Sequence, residues 1–489
     1  MTNFYDLSQK MGYPSVMGME YMMYGAPTED SFATSETLHR FYSLYATGNY
    51  VYDGRYALSG SWRVDKTDLF GADPKYRGRP LWSVGASWNM HNEAFMKDVT
   101  WVDALKLRLS YGLTGNIDSS VSSYLTASFG YNDLYGHQFA EINNPLNDQL
   151  RWEKTATWNI GVDFSFFDYR LSGSLDYYYK KGTDILSTTD LDPTTGWSLY
   201  AINSGNALNR GVELAFNANI VRPNGRNSLS VNASFNFAYN KNEVTKVTHT
   251  PASGMEALNT TSLKKGCPIH SLYSYDFAGL VTEDGMQYYT WRDHAGEIHR
   301  TDINAPEFTP DDVVFSGGLD PKVVASFTPE ITYAGFTLST MFNFYGGHYM
   351  RMNTEKWLSD GSELGYRELR NVTAVPSSYL DYWRAEDKTG IPGNGVAAMN
   401  VVGSGRYMDA NVERADYLKL RNIVLSYSLP ASVVKHWGFN SLQLSFQMNN
   451  VFTWARNSMS LDPEAVNPIS GVNQLRTPRS YTFSLSLNL

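Results

Sequence analysis

The adjacent acids Glu283-Asp284 and Asp311-Asp312 raise the question of paired carboxylates for glycoside hydrolysis. Neighbouring acids in polar loops are ordinarily just solvated, and no other reactive group accompanies these. The nine His residues fall in no H-E-x-x-H or similar ligand spacing, and His91-Asn92-Glu93 alone is no zinc site. Neither G-x-S-x-G nor G-x-x-x-x-G-K-[ST] occurs. No catalytic residue, no metal ligand set and no cofactor is expected.

A second group of residues suits recognition. Lys106, Arg108, Asn159, Asp163, Arg170, Asp176 and Glu213 occupy alternate positions of alternating stretches, so all are expected on the wet face of a sheet. There they would bind a polar substrate, or form a solvated wall with mutual ion pairs. Trp197, Tyr200, Tyr288, Tyr289 and Trp291 fall between such stretches, in expected loops. Their rings suit the apolar faces of sugars; loop packing or contacts to a second protein explain them at least as well. Arg63 and Asp65 are expected to pair as an exposed salt bridge.

The elements that must position these residues are strands. Ala156, Trp158, Ile160, Val162, Phe164 and Phe166 alternate with small or polar residues, and Tyr169, Leu171, Leu175, Tyr177 and Tyr179 resume the pattern beyond Phe167-Asp168. Period-2 alternation means one wet and one dry face, and so short a link means an antiparallel hairpin. The strands exceed the ~5–6 residues usual in soluble sheets and match the ~9–11 that cross a bilayer at a tilt. Bulky apolar side chains on one face suit lipid, and small polar ones on the other suit a watery lumen.

Composition agrees. The 489 residues include 34 Tyr, 24 Phe and 12 Trp, an aromatic share that girdles at two membrane interfaces would explain, and only 18% are charged. No uninterrupted apolar run of ~18 residues marks a spanning helix. A net charge of -9 argues against nucleic acid. The single Cys267 excludes an internal disulfide. Met1-Thr2-Asn3-Phe4-Tyr5-Asp6 opens neither a basic nor an apolar signal segment.

Taken in order, residues 1–36 read as an extracellular loop remnant, and 37–489 as barrel wall. Strands are expected near 38–51, 56–62, 82–88, 105–111, 156–166, 169–179, 212–220, 229–239, 323–333, 336–345, 417–429, 442–452 and 481–489. A short helix is expected near Met352 to Trp357. Short or middling links at 52–54, 90–102, 167–168, 222–227, 334–335 and 430–440 alternate with long ones, including 182–208 and 242–321. That asymmetry fits short periplasmic turns and long extracellular loops. About 13 strands is an odd number, whereas bacterial single-chain barrels have an even one. About nine more, upstream, would make the ~22 of a plugged outer-membrane transporter.

Specific runs then resemble a known family. Leu105-Lys106-Leu107-Arg108-Leu109-Ser110-Tyr111-Gly112-Leu113-Thr114-Gly115-Asn116 is the most specific; Trp82-Ser83-Val84-Gly85-Ala86-Ser87-Trp88, Glu93-Ala94-Phe95, Trp152-Glu153-Lys154-Thr155 and Asn209-Arg210-Gly211-Val212-Glu213-Leu214 flank it. Tyr417-Leu418-Lys419-Leu420-Arg421-Asn422, Asn450-Val451-Phe452-Thr453, Asp462-Pro463-Glu464 and Pro478-Arg479-Ser480-Tyr481 follow in order. Together they resemble the SusC/RagA family of TonB-linked outer-membrane proteins. The resemblance implies an all-β, antiparallel transmembrane β-barrel of ~22 strands, with an N-terminal plug absent from this sequence. It also implies a SusD-like surface lipoprotein as lid, energy through TonB-ExbB-ExbD, and import of oligosaccharides or peptides across the outer membrane of a Gram-negative, Bacteroidota-like cell.

Three departures stand out: the plug with its TonB-contacting segment and early strands is absent, the chain ends in Leu489 where the family usually has Phe, and Arg292-Asp293-His294-Ala295-Gly296-Glu297 lacks the D-x-[DN]-x-[DN]-G calcium spacing. The expected function is therefore an importer component that is not an enzyme. The alternative is a soluble all-β carbohydrate-binding protein, which would need repeats of ~40–50 residues that are not seen.

Overall fold

The computed structural model describes residues 2–3, 35–36, 41–67, 78–116, 123–132, 136–147, 149–190, 192, 194, 197, 199–259, 263–283, 286–300, 308–352 and 407–488. The alternating stretches form a sheet of 13 strands in sequence order. They are β1 (Phe41–Tyr52), β2 (Tyr56–Thr67), β3 (Gly78–Asn89), β4 (Val102–Asn116), β5 (Glu153–Phe166), β6 (Leu171–Asp190) and β7 (Leu199–Val221). The rest are β8 (Ser230–Lys246), β9 (Val323–Tyr333), β10 (Phe336–Gly346), β11 (Tyr417–Ser428), β12 (Ser441–Ala455) and β13 (Ser480–Asn488). From β3 onward every neighbouring pair is antiparallel.

The chain divides into two compact units. The first, residues 1–46, 62–81 and 117–152, includes a hairpin of Thr126–Asn132 with His137–Asn144 inside what reads as a loop. It also holds the Arg63–Asp65 pair, at 2.6 Å, and the paired dipeptides Thr2–Asn3 and Ser35–Glu36. The second unit, residues 47–61, 82–116 and 153–489, contains the rest.

Short links gather the strands at one end. Ala334 and Gly335 have φ of 51° and 88°, the left-handed pair that a two-residue hairpin between twisted strands requires. The β5–β6 link is longer than expected. Phe167, Asp168 and Tyr169 all lie in the left-handed region, and β6 starts at Leu171. Tyr169 and Arg170 therefore belong to the turn, Arg170 being exposed there instead of on the strand face. Such a conformation is costly for residues with a Cβ. Tyr169 N donates to the Asp103 carboxylate at 2.8 Å, and the Arg222 guanidinium donates to the Asp168 carbonyl.

At the other end β6 and β7 run on through most of 182–208, expected to be a loop. Register shifts at Gly182/Ile185/Leu186 break the alternation there, because a bulge reverses which face each residue takes. The 242–321 excursion also contains a sheet, ordered Ile298–Arg300, Met286–Arg292, Ser271–Glu283, Val313–Gly318. It buries Ala257, Leu258, Tyr273, Tyr275, Trp291, Val313 and Met408 in a core of its own. The helix expected near Met352 to Trp357 lies, beyond Met352, outside the described residues.

Within the 13-stranded sheet the apolar face is open. Trp158 is 48% exposed and Leu485 59%, values no packed soluble core would leave. Phe216 packs on Phe235 and Phe446 on Phe483 across neighbouring strands of that face. With lipid against it, Ile160→Arg is expected to cost ~2–4 kcal/mol in a bilayer, and Asn159→Arg much less. Denaturant titration of the protein refolded in vesicles measures both, and equal costs contradict the assignment of faces.

Candidate functional site

The polar face of β4 to β7 brings together six of the seven expected wet-face residues. Register sets the rows: Arg108 lies opposite Gly161, Gly161 opposite Asp176, and Asp176 opposite Glu213. One row over, Lys106 lies opposite Asp163 and Asp163 opposite Ser174, while Asn159 sits between Ser110 and Tyr178. Arg170, in the turn, stands apart from this patch.

Arg108 is the hub. Its Nε donates to Asp163 Oδ2 at 2.9 Å, and its Nη2 lies 2.8 Å from Asp163 Oδ1 and 3.0 Å from Asp176 Oδ2. The pair needs Gly161 between its partners. A Cβ there would stand 2.3 Å from Asp176 Oδ1 and 2.7 Å from Arg108 Nη2. Glu213 is exposed and borders a pocket of about 250 Å³ with Ser174, Asp176, Asn236 and Ser326. Across Lys106, Arg108, Asp163, Asp176 and Glu213, two cations meet three carboxylates. Lys180, on the same face of β6 with its Nζ 4.6 Å from the Tyr178 ring centroid, makes the charges even, while the carboxylates accept readily and donate nothing.

Tyr178 belongs to the same face, and alternation alone hides it inside Tyr177-Tyr178-Tyr179. Its hydroxyl donates to Asn240 Oδ1 at 3.0 Å, and Gly211 makes room, since a Cβ there would stand 2.5 Å from that hydroxyl. A second cluster joins β11 to the loop between β12 and β13. Lys419 Nζ lies 2.9 Å from Asp462 and 2.5 Å from Glu464, which also accepts from Arg421 and from Tyr417 Oη at 3.0 Å. Burial would raise the Glu464 carboxyl, but the bonds from Arg421 and Lys419 outweigh it and leave it below the ordinary range. Lys419, Arg421 and Glu464 stand within the runs quoted for the resemblance; nothing in their spacing announces that they meet.

The expected loop aromatics are scattered. Trp291 is 1% exposed, within ring contact of Tyr275, Phe308 and His299, so its indole offers no face to a ligand. Tyr200 is half-buried on β7, opposite Thr189, and Trp197 is half-buried. Tyr288 and Tyr289 pair with Val281 and Leu280 through the backbone, and their side chains lie outside what the structure describes.

Among the described residues, Asp293, Glu297 and His299 could hold a metal ion, their ligand atoms all within 4.8 Å of one another. Asp293 already accepts from His299 Nε2 and from the Glu297 backbone N–H, both at 2.8 Å, which fastens the hairpin turn. The Asp311-Asp312 pair divides: Asp311 is exposed, and Asp312 is buried with Thr309 and His294 as donors. Burial would raise the Asp312 carboxyl, yet these bonds hold it at about 2.

Removing Arg108 leaves Asp163 and Asp176 unbalanced, so Arg108→Met is expected to cost ~1–3 kcal/mol, and Asp176→Asn in the same chain to restore part of it. A double-mutant cycle from denaturation midpoints reads the coupling, and strict additivity contradicts the hub. Because Asp312 is depressed when folded, its contribution is present above the unfolded value near ~4 and is lost as pH falls toward ~2. Hydrogen exchange in 271–318 is thus expected to speed up in Asp312→Asn at pH 7 and to match the parent near pH 2. A difference that persists there contradicts the assignment.

A family model described as TonB dependent receptor-like, beta-barrel matches residues 2–451. The chain is 27% identical over 513 residues to TonB-dependent receptor P39 of Formosa agariphila, covering 93% of this chain and 47% of that protein. It is 27% identical over 487 residues to TonB-dependent receptor SusC of Bacteroides thetaiotaomicron, covering 94% of this chain and 44% of the relative. A solved structure of the RagAB peptide transporter superposes with a TM-score of 0.75 at 23% identity, covering 96% of this chain and 50% of that one. The chain spans about half the length of the relatives it matches.

Proposed function

Since the chain belongs to the TonB-dependent receptor-like β-barrel family, we propose that it forms wall and extracellular loops of an outer-membrane importer of the SusC/RagA type. The observation that carries this reading is the sheet of 13 strands whose open apolar face holds Trp158, Ile160, Leu175, Phe483 and Leu485. Opposite lies a polar face with the Arg108–Asp163–Asp176 cluster. A strand in hydrocarbon must bond its backbone to neighbours, so β1 and β13, outermost among the described residues, require partner strands. About nine more strands would close a barrel of ~22.

In the assembled importer the charged face lines the bore. A lumen of that width cannot select by size, so a plug blocks it until TonB, powered by ExbB-ExbD, pulls. The small sheet at 271–318 and the β11 clamp shape the outer mouth, where a SusD-like surface lipoprotein closes over an oligosaccharide or peptide. Residues 1–36, expected as an extracellular loop remnant, lie outside the described residues apart from 2–3 and 35–36. No enzymatic step is part of this mechanism. The soluble carbohydrate-binding alternative draws no support from the matched relatives, and an apolar face this open does not suit it.

Disrupting the gene is expected to stop uptake of one class of oligomer while sparing its monomers, with the chain recovered from the outer membrane. Recovery from the soluble fraction, with every oligosaccharide and peptide still taken up, contradicts the reading.

A further inference from the structure

Beyond the polar face, the structure contains a larger cavity of about 610 Å³ where the extended ends of β6, β7 and β8 meet the segments around 247–270. That volume is within the range of small-molecule sites. Much of its wall is aliphatic, from Ile185, Leu186, Val244, Val247, Leu263 and Ile269; Ser187, Asn206, Asn259 and His270 add polar groups, and no Phe, Tyr or Trp lines it among the described residues. Its polar edge is anionic. His249, with a side chain 9% exposed, bonds Asp190 through Nδ1 at 2.8 Å and Glu256 through Nε2 at 3.0 Å. The two carboxylates share this one imidazole, and Glu256 Oε2 also accepts from the Ala252 backbone N–H at 2.7 Å. Two carboxylates around a single imidazole leave a negative edge, and Glu256 and His249 face the cavity.

We infer that this cavity binds the N-terminal part of a peptide, an aliphatic side chain filling the apolar wall and the free amine meeting Glu256. This rests on the importer reading and narrows its substrate class. A sugar fits less well, because hydroxyls set against the six aliphatic side chains give up water without a hydrogen bond in return, and no ring is there to stack on among the described residues. A cationic amine beside a branched apolar chain matches both features at once.

The test uses the complete outer-membrane complex, purified in detergent, and calorimetry with three probes: Leu-Leu-Leu-amide, its N-acetylated form, and maltotriose. The free-amine peptide is expected to bind, acetylation to weaken it about tenfold, and maltotriose not to compete. Glu256→Gln is expected to weaken the free-amine peptide about tenfold and to leave the acetylated one unchanged. Val247→Trp and, independently, Leu263→Trp should weaken both peptides more than tenfold, with heat-shifted gel mobility checking that each variant folds. Competition by maltotriose, absence of peptide binding, or unchanged affinity in folded variants overturns the inference. So does peptide binding that appears only once a lipoprotein partner has been stripped away, since the partner then occupies the cavity. These failures leave a chain that still fractionates with the outer membrane, and so are distinguishable from failure of the importer reading, in which it does not.

Discussion

Backbone amides and carbonyls cannot be left unpaired in hydrocarbon, and almost everything in this chain follows from that. Each strand satisfies its groups against the next, which fixes side chains to two faces with a period of two. On β5, Trp158, Ile160 and Val162 take one face, and Asn159, Gly161 and Asp163 the other. Charge then has only one place to go. Arg108 finds Asp163 and Asp176 because register, not proximity in sequence, lays them side by side. Gly161 and Gly211 serve as empty positions over which Arg108–Asp176 and Tyr178–Asn240 can meet.

The wall was therefore legible in the sequence almost to its strand ends. Val323–Tyr333 and the two-residue turn after it fall where alternation and Ala334-Gly335 place them. Legibility fails where the constraint lapses. Beyond Gly182, β6 no longer needs a dry face, and bulges scramble the pattern that would reveal it. At Phe167-Asp168-Tyr169 no glycine signals the left-handed turn, so Arg170 reads as part of a strand that begins one residue later.

The loop sheet obeys a different physics. Its core around Tyr273, Tyr275 and Trp291 excludes water as a soluble domain does, so aromatics there pack instead of displaying their faces. Composition cannot tell a ring in such a core from one awaiting a ligand, and Trp291 shows the consequence. The same holds for acids: Asp312 next to Asp311 looks like a solvated pair until Thr309 and His294 are placed around it. Polar contacts across long sequence separations, such as Glu464 with Lys419 and Arg421, carry no local pattern at all.

The two faces of one strand meet different solvents. Single cysteines at positions 158, 159, 160, 162, 163 and 164, in a Cys267→Ser background and labelled with an environment-sensitive fluorophore in vesicles, read this directly. Quenching by lipid-borne nitroxide is expected at 158, 160, 162 and 164, and quenching by aqueous iodide at 159 and 163. Uniform quenching by either agent along the strand contradicts it.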